Sequence, residues 1–476
     1  MRAVPVDMIK LTHVQDFSLG RARISPSTRS IAGPAGKAAM EPRMMQVLVA
    51  LSRTPGSLVT RERLLELCWG SAAIGDDSLN RAVAGLRRAL RKTVGDCIRL
   101  ETVPAAGYVL TVDQVTDGIE QSAAEALAAG WRSWKLGLPQ VDHGAIAQLR
   151  QAAHVQPDNA HVQGMLALIL RNAAEYADLD LCPAMVGECE SSAGLALALD
   201  PHQNHARSAL IGLPPLFGDW LPRRGKLLEL LEQAPDDLVA MHDLAILDMA
   251  TGRPSAAAAL GARLMELEPL AATFHYKRTY HLWSAGKAME MDHVADRAMQ
   301  LWPRHPAIWF ARLWTLAFTD RPHQALQQLQ EQGSRPDLPP PVLSTLERTL
   351  AALIDPHDRR AHQAAVAANL EAAQRGPAQC VAATMHLAGL GEPEAALRVA
   401  EGYLLRRGPI GVGLHKSDTD PSITDQHRRI TQMLFLPVTA CMRDDPAFLP
   451  LCEGIGMAAY WEAAGVTPDF MAAATI

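Results

Sequence analysis

Hydrophobic positions recur at two periods along this chain, and the change between them divides it. From Phe17 the apolar residues come in short β-prone pieces, Phe17 to Leu19, Ala22 to Ile24 and Ser30 to Ala32, separated by Gly20, Ser25-Pro26 and Gly33-Pro34. Such pieces predict a small antiparallel sheet. After Pro42 the period lengthens: Met44, Val47, Leu48 and Leu51 fall at helical spacing until Thr54-Pro55-Gly56 stops them, which predicts a first helix over 44–52. Thr60 is placed to cap a second helix carrying Leu64, Leu65, Leu67 and Trp69, closed by Gly70. A third helix is predicted over Leu79 to Lys92, with Asp77 or Ser78 as its cap. Two strands, 98–103 and 108–112, then make a hairpin across Pro104-Ala105-Ala106-Gly107.

The third helix separates its faces sharply. At ~100° per residue Leu79, Val83, Leu86 and Leu90 share one line and are assigned to the core. Asn80, Arg81, Ala84, Gly85, Arg88, Arg91 and Lys92 lie opposite, with Arg87 on the flank, and no acid occurs between Leu79 and Lys92. A basic helix face can simply be solvated. Here Ala84 and Gly85 stand between the arginines, and small residues there let a helix axis approach a groove floor, while Arg and Asn are the side chains that pair bidentately with guanine and adenine edges.

Beyond Asp113 the pattern is helical throughout, and it repeats. Pro201, Pro235, Pro269 and Pro303 stand 34 residues apart, as do Gly218, Gly252 and Gly286, with Asp320 next in that register. Each proline follows a helix end such as Leu197-Ala198-Leu199-Asp200, and each glycine falls between two helices. Stacked helix pairs explain such a period, because a single pair leaves an apolar face that only a neighbour covers. Pro157 precedes Pro201 by 44 residues, which predicts an insertion between Tyr176 and Gly187. The proline-rich stretch Arg335 to Pro341 breaks the register, and the segment from Leu434 to Phe470 reads as a cap on the last hydrophobic face. Trp302, Trp309 and Trp314 crowd one repeat, either as core at helical spacing or as the aromatic lining of a groove.

Charge follows the same division. Residues 1–115 hold 16 Lys and Arg against 10 Asp and Glu, whereas the remainder holds 29 against 41. A basic module on an acidic body suggests a polyanion partner for the first part only. No apolar run approaches the ~18 to 20 residues of a bilayer span, and Met1 to Phe17 is too polar for an export signal. The chain is therefore expected in the cytoplasm, without a membrane partner. Seven scattered cysteines with no Cys-x-x-Cys are expected to be reduced and buried. His202 and His205 lack a nearby third ligand, Gly33 to Lys37 lacks phosphate-loop spacing, and Gly408 to Gly413 reads as a loop. Neither metal, cofactor nor enzymatic activity is expected.

The order of sheet, three helices and hairpin, with Thr60-Arg61-Glu62-Arg63-Leu64-Leu65, Trp69-Gly70, Leu79-Asn80-Arg81, Leu86-Arg87-Arg88-Ala89-Leu90, Thr102-Val103 and Gly107-Tyr108, resembles the OmpR/PhoB-type winged-helix DNA-binding domain over about residues 15 to 112. The resemblance implies that the third helix enters the major groove, with Asn80, Arg81, Ala84 and Arg88 at the bases. It implies phosphate contacts by Thr60, Arg61, Trp69, Arg87, Arg91 and Thr102. Family members commonly carry a basic residue at the wing tip, where this chain has Pro104-Ala105-Ala106, so the wing is expected to position by shape and backbone. The 34-residue punctuation resembles the tetratricopeptide repeat, and the closing segment resembles one found on bacterial repeat-containing regulators and cyclases.

The expected fold is mostly α: an N-terminal winged helix-turn-helix over 1–115, then an α-solenoid of tetratricopeptide-like pairs over 116–476. With no receiver domain expected ahead of the first strand, a one-component bacterial transcription regulator follows. Its expected partners are double-stranded promoter DNA, a second copy of itself as a dimer or tandem neighbour, and a peptide, protein or RNA polymerase at the repeats. The rival expectation is an interaction scaffold, for which an acid-free basic third helix has no use.

Overall fold

Around three helices, the first hundred residues fold as two small sheets. The computed structural model describes residues 8–19, 22–33, 35–70, 76–95, 98–104, 106–112, 118–138, 144–177, 181–410 and 429–472. Strands Phe17–Leu19 (β1), Ala22–Ser25 (β2), Ser30–Gly33 (β3) and Gly36–Ala39 (β4) form an antiparallel meander in that order. Helix Pro42–Ser52 (α1), strand Leu58–Thr60 (β5), helices Arg61–Trp69 (α2) and Asp76–Val94 (α3), and strands Ile98–Val103 (β6) and Gly107–Val112 (β7) follow. β6 and β7 are the wing hairpin, and β5 pairs with the other edge of β7, Val59 opposite Tyr108. Neither β4 nor β5 is predicted above. Gly36-Lys37-Ala38-Ala39 has no β-branched or aromatic residue, and β5 is three residues long, so each is made by its partner strand rather than by its own composition.

The predicted core stripe of α3 is buried: Leu79 and Leu86 are fully buried, with Val83 and Leu90 close behind. They meet Leu48 and Leu51 of α1, Leu64 of α2 and Leu110 of β7 in one cluster, each such side chain contributing about 2 kcal/mol through burial. Two expectations for α3 are corrected. The helix starts at Asp76, so Asp77 and Ser78 lie inside its first turn and do not cap it. Gly85 does not clear the way to a groove floor; a Cβ there would stand 2.8 Å from Met44 Sδ, so the glycine admits α1 instead. Ala84 alone keeps the outward role.

Gly107 is required by a close approach of the same kind. A Cβ would lie 2.2 Å from the Val59 carbonyl oxygen, which is fixed by the β5–β7 pairing. Gly107→Ala is therefore expected to destabilise this unit by about 2 kcal/mol or more, read as a lower urea midpoint at unchanged slope. An unchanged midpoint would show that the strand edge yields.

Residue contacts divide the chain into Met1–Gln121 and Ser122–Ile476. The second unit is a solenoid of helix pairs, among them Ala145–Val155 with Ala160–Ala174, Trp220–Gln233 with Leu238–Ala250, Pro254–Leu267 with Ala272–Ser284, and Ala288–Leu301 with Pro306–Ala317. The repeat punctuation has a backbone cause. Gly218, Gly252 and Gly286 all take the left-handed conformation (φ 87°, 81° and 69°), and Asp320, next in register, takes it too at φ 59°. After four of the five repeat prolines the residue two further on caps the next helix: Asn159, Gln203, Asp237 and His305 each accept a backbone N–H of its first turn, whereas Ala271, after Pro269, has no polar side chain to do so.

Two further expectations are corrected here. The extra residues before Pro201 are not confined to 176–187, because Gly187 lies inside an elongated helix, Cys182–Leu199. The closing segment does more than cap the last pair. It packs on Pro377–Gly389 and Pro393–Leu405 and also returns to the middle of the stack. There Trp461 Nε1 donates to the Thr251 carbonyl (2.8 Å), Thr431 Oγ1 to Ala250 (2.6 Å) and the Asp469 amide to Gly252 (2.8 Å). Of the three crowded tryptophans, Trp309 is fully buried, while Trp302 and Trp314 are partly so. Burial pushes the thiols of Cys68, Cys189, Cys380 and Cys452 up to about 12, which makes them inert.

Candidate nucleic-acid interface

With its leucine face committed to the core, α3 turns Asn80, Arg81, Ala84, Arg88, Arg91 and Lys92 outward, all of them exposed. Among the described residues no carboxylate pairs with Arg81, Arg88, Arg91 or Lys92; Arg81 Nε donates only to the Asp77 carbonyl, at 3.3 Å. Four cations along one face thus have no internal use for their charge.

The flanking residues are held more tightly. Arg87 bridges α3 to the wing: its Nε donates to the Leu100 carbonyl at 2.8 Å and its Nη2 to Thr102 Oγ1 at 2.7 Å. This fixes the angle between helix and hairpin and leaves only part of the guanidinium for an outside acceptor. Arg61, at the start of α2, donates from Nη1 to Tyr108 Oη and from Nη2 to Asn80 Oδ1, both at 2.8 Å, and lies over the Tyr108 ring. The Tyr108 hydroxyl also donates to Asn80 Oδ1, at 3.0 Å. Asn80 therefore presents its NH2 group outward while its oxygen is already occupied. In that state it can donate to a purine acceptor or a phosphate, but a bidentate pair with adenine needs the oxygen released.

Thr60 caps α2, accepting from the Arg63 amide at 3.2 Å. Trp69 at the other end of α2 is half-buried beneath the Arg43 guanidinium, 5.4 Å from the ring centre. At the wing turn the Ala106 amide donates to the Val103 carbonyl, Ala106 is buried, and Pro104 is exposed. Sequence reasoning missed two members of this surface. Arg99 lines a cleft between the end of α3 and β6 together with Arg87 and Arg91; the alternation Ile98 in, Arg99 out, Leu100 in could have found it. Tyr108, which orients Arg61 and Asn80, carries no local signal because its partners lie 47 and 28 residues away.

This arrangement is that of a winged helix with an exposed, basic third helix. Residues 36–110 match the family described as transcriptional regulatory protein, C terminal, and are an OmpR/PhoB-type domain. A relative is the transcriptional activator CadC of Escherichia coli (strain K12), 25% identical over 95 residues, which are 20% of this chain and 19% of that protein. The chain thus matches about a fifth of that relative's length. Among solved structures, yeast Tom70 is 12% identical, with 87% of this chain and 84% of that chain covered at a TM-score of 0.35. The TPR domain of P58(IPK) is also 12% identical, with 70% and 92% covered at a TM-score of 0.22. The fold rests on the helices themselves: an N-terminal winged helix followed by a helical solenoid of paired repeats.

Among the described residues no helix is long and apolar enough to cross a membrane, and no group of three or more His, Cys, Asp or Glu side chains could hold a metal ion.

Proposed function

We propose that this chain regulates transcription by binding promoter DNA through α3, under the control of its repeat unit. The observation that carries the reading is the face of α3, where Arg81, Arg88, Arg91 and Lys92 stand exposed with no carboxylate partner among the described residues while the opposite face is locked in the core. The domain match and the transcriptional activator among its relatives support duplex DNA as the polyanion. Arg81 and Arg88, a turn or two apart around Ala84, read base edges in the major groove; Asn80 contributes its amino group. Thr60, Arg61, Trp69, Arg87, Arg91 and Thr102 surround them and position the domain on phosphates, with Arg87 and Thr102 acting as one unit. Two copies bind half-sites, since a single winged helix reads few base pairs. The chain acts in the cytoplasm, and the repeat unit takes the signal.

Selection of genomic fragments by the purified full chain tests the reading. A few enriched promoters are expected, with recovery falling steeply as salt rises. Uniform recovery, or none, would overturn it.

Because Pro104 is exposed and Ala106 is buried, the wing contact has its own test. Pro104→Arg is expected to tighten binding to operator and random duplex alike by a few-fold, and to steepen the salt slope by about 0.9, the signature of one added phosphate contact. Tightening confined to the operator would mean that the tip meets bases.

A further inference from the structure

Three elements meet at one amide. Asn80 stands on the exposed face of α3, and Arg61 opens α2. Tyr108 lies in β7, where pairing with Val59 of β5 and Thr102 of β6 fixes its backbone, and it is only 2% exposed. The direction of every hydrogen bond among the three follows from one fact: a guanidinium has no acceptor. Arg61 Nη1 donates to the Tyr108 hydroxyl at 2.8 Å, so that hydroxyl turns its own proton to Asn80, at 3.0 Å. Arg61 Nη2 donates to the same Asn80 atom at 2.8 Å, which makes that atom the amide oxygen and not the nitrogen.

The oxygen is thereby filled and the nitrogen left unused. A carbonyl oxygen offers two lone pairs, and Arg61 and Tyr108 take both. Among the described residues Nδ2 of Asn80 makes no hydrogen bond. Turning the amide over would set its N–H groups against two donors and break two hydrogen bonds, one of them charge-assisted. The three bonds close a ring in which each polarises the next. Asn80 therefore meets an outside edge as a donor alone. In the major groove guanine shows two adjacent acceptors, O6 and N7; adenine shows one acceptor beside a donor, thymine one acceptor beside a methyl group, and cytosine a donor. An asparagine that uses both ends favours adenine, whereas one held in this way favours guanine and rejects cytosine.

We propose that Tyr108 and Arg61 are positioning residues that set the base read by Asn80, and that this base is guanine. The assignment rests on the DNA-binding reading above and names one base of the operator. A phosphate that draws Arg61 away leaves the Tyr108 hydroxyl on the amide oxygen, so Tyr108 is the member on which the preference turns.

The test is competition binding of the full chain to the selected operator with each base pair changed in turn to the other three. Asn80→Ala locates the position, as the one where this variant no longer separates guanine from the other bases. There the wild-type chain is expected to bind guanine about tenfold more tightly than adenine, and cytosine worst of all. Tyr108→Phe, which frees one lone pair of the oxygen and keeps the ring, is expected to narrow the guanine-to-adenine ratio about threefold or more at that position and nowhere else. Asn80→Asp leaves an acceptor outward and is expected to move the preference to cytosine, whose N4 amino group donates. A ratio at one base pair does not respond to a change in overall affinity, and thermal melts of the three variants establish that they fold. Adenine preferred by the wild-type chain, base preferences identical in Asn80→Ala and the wild type, an unchanged ratio in folded Tyr108→Phe, or no gain of cytosine in folded Asn80→Asp would each overturn the proposal. The two readings fail distinguishably. A chain that selects an operator and gives one of these results loses only the guanine assignment, and one that selects no operator loses the regulator and this assignment together.

Discussion

Replacing Arg81 and Arg88 together with alanine is expected to lower affinity for a selected operator by about 10²- to 10³-fold while lowering affinity for random duplex far less. A bidentate arginine–guanine pair contributes about 1–3 kcal/mol of discrimination, and two such pairs are removed. Arg87, Arg91 and Lys92 remain, so the sequence-independent attraction of the helix largely survives. Stability should not change, because both arginines are exposed and neither has a carboxylate partner among the described residues. Arg91→Ala should behave in the opposite way, weakening operator and random duplex equally and reducing the salt slope by about 0.9. Competition binding on both duplexes separates the two patterns. If Arg81→Ala/Arg88→Ala weakened both duplexes by the same factor, the two side chains would be phosphate contacts and the assignment of base reading would fail.

Acid is expected to loosen the repeat unit between pH 7 and pH 5. Burial pushes His281 down to about 3 and His386 down to about 4, both from 6.5, so the unfolded chain takes up protons that the folded chain refuses. The stability these histidines contribute is therefore complete above pH 6.5 and is lost as pH falls toward their folded values, about 2 kcal/mol each by pH 5. Asp248 opposes them: burial lifts it to about 6 in spite of Arg253, so the folded state gains a proton as pH falls, returning about 1 kcal/mol. The net loss is about 3 kcal/mol, and the buried His205, His242, His275 and His305 add to it in the same direction. A fall in melting temperature on the order of 5 °C should accompany it. His386 faces Asn369 Oδ1 through Nδ1 at 2.9 Å, and His386→Gln should remove its share of the pH dependence. A melting temperature that is flat or rises on acidification would contradict this assignment.

The features legible in the sequence are those decided locally. Leu79, Val83, Leu86 and Leu90 are spaced for one face, and that face is buried. The glycines at 218, 252 and 286 are spaced by the repeat because each pair turns through a left-handed residue, and Asp320 holds the same conformation without being glycine. What escaped the sequence depends on chain separation. Asn80 is shown as a side chain with two free hydrogen-bonding ends only until Arg61 and Tyr108 are brought to it, and Gly85 changes meaning once Met44 is beside it. The return of Trp461 to Thr251 spans 210 residues, and no periodicity announces it.

The most direct measurement pairs each single base-pair change in the selected operator with Arg88→Ala, in a double-mutant cycle read by binding affinity. The wild-type chain is predicted to lose about 1–3 kcal/mol at one or two positions, and Arg88→Ala to lose nothing more at one of them while keeping its sensitivity elsewhere. If every base change cost the variant as much as it costs the wild type, Arg88 would read no base, and α3 would not be the element that recognises the operator.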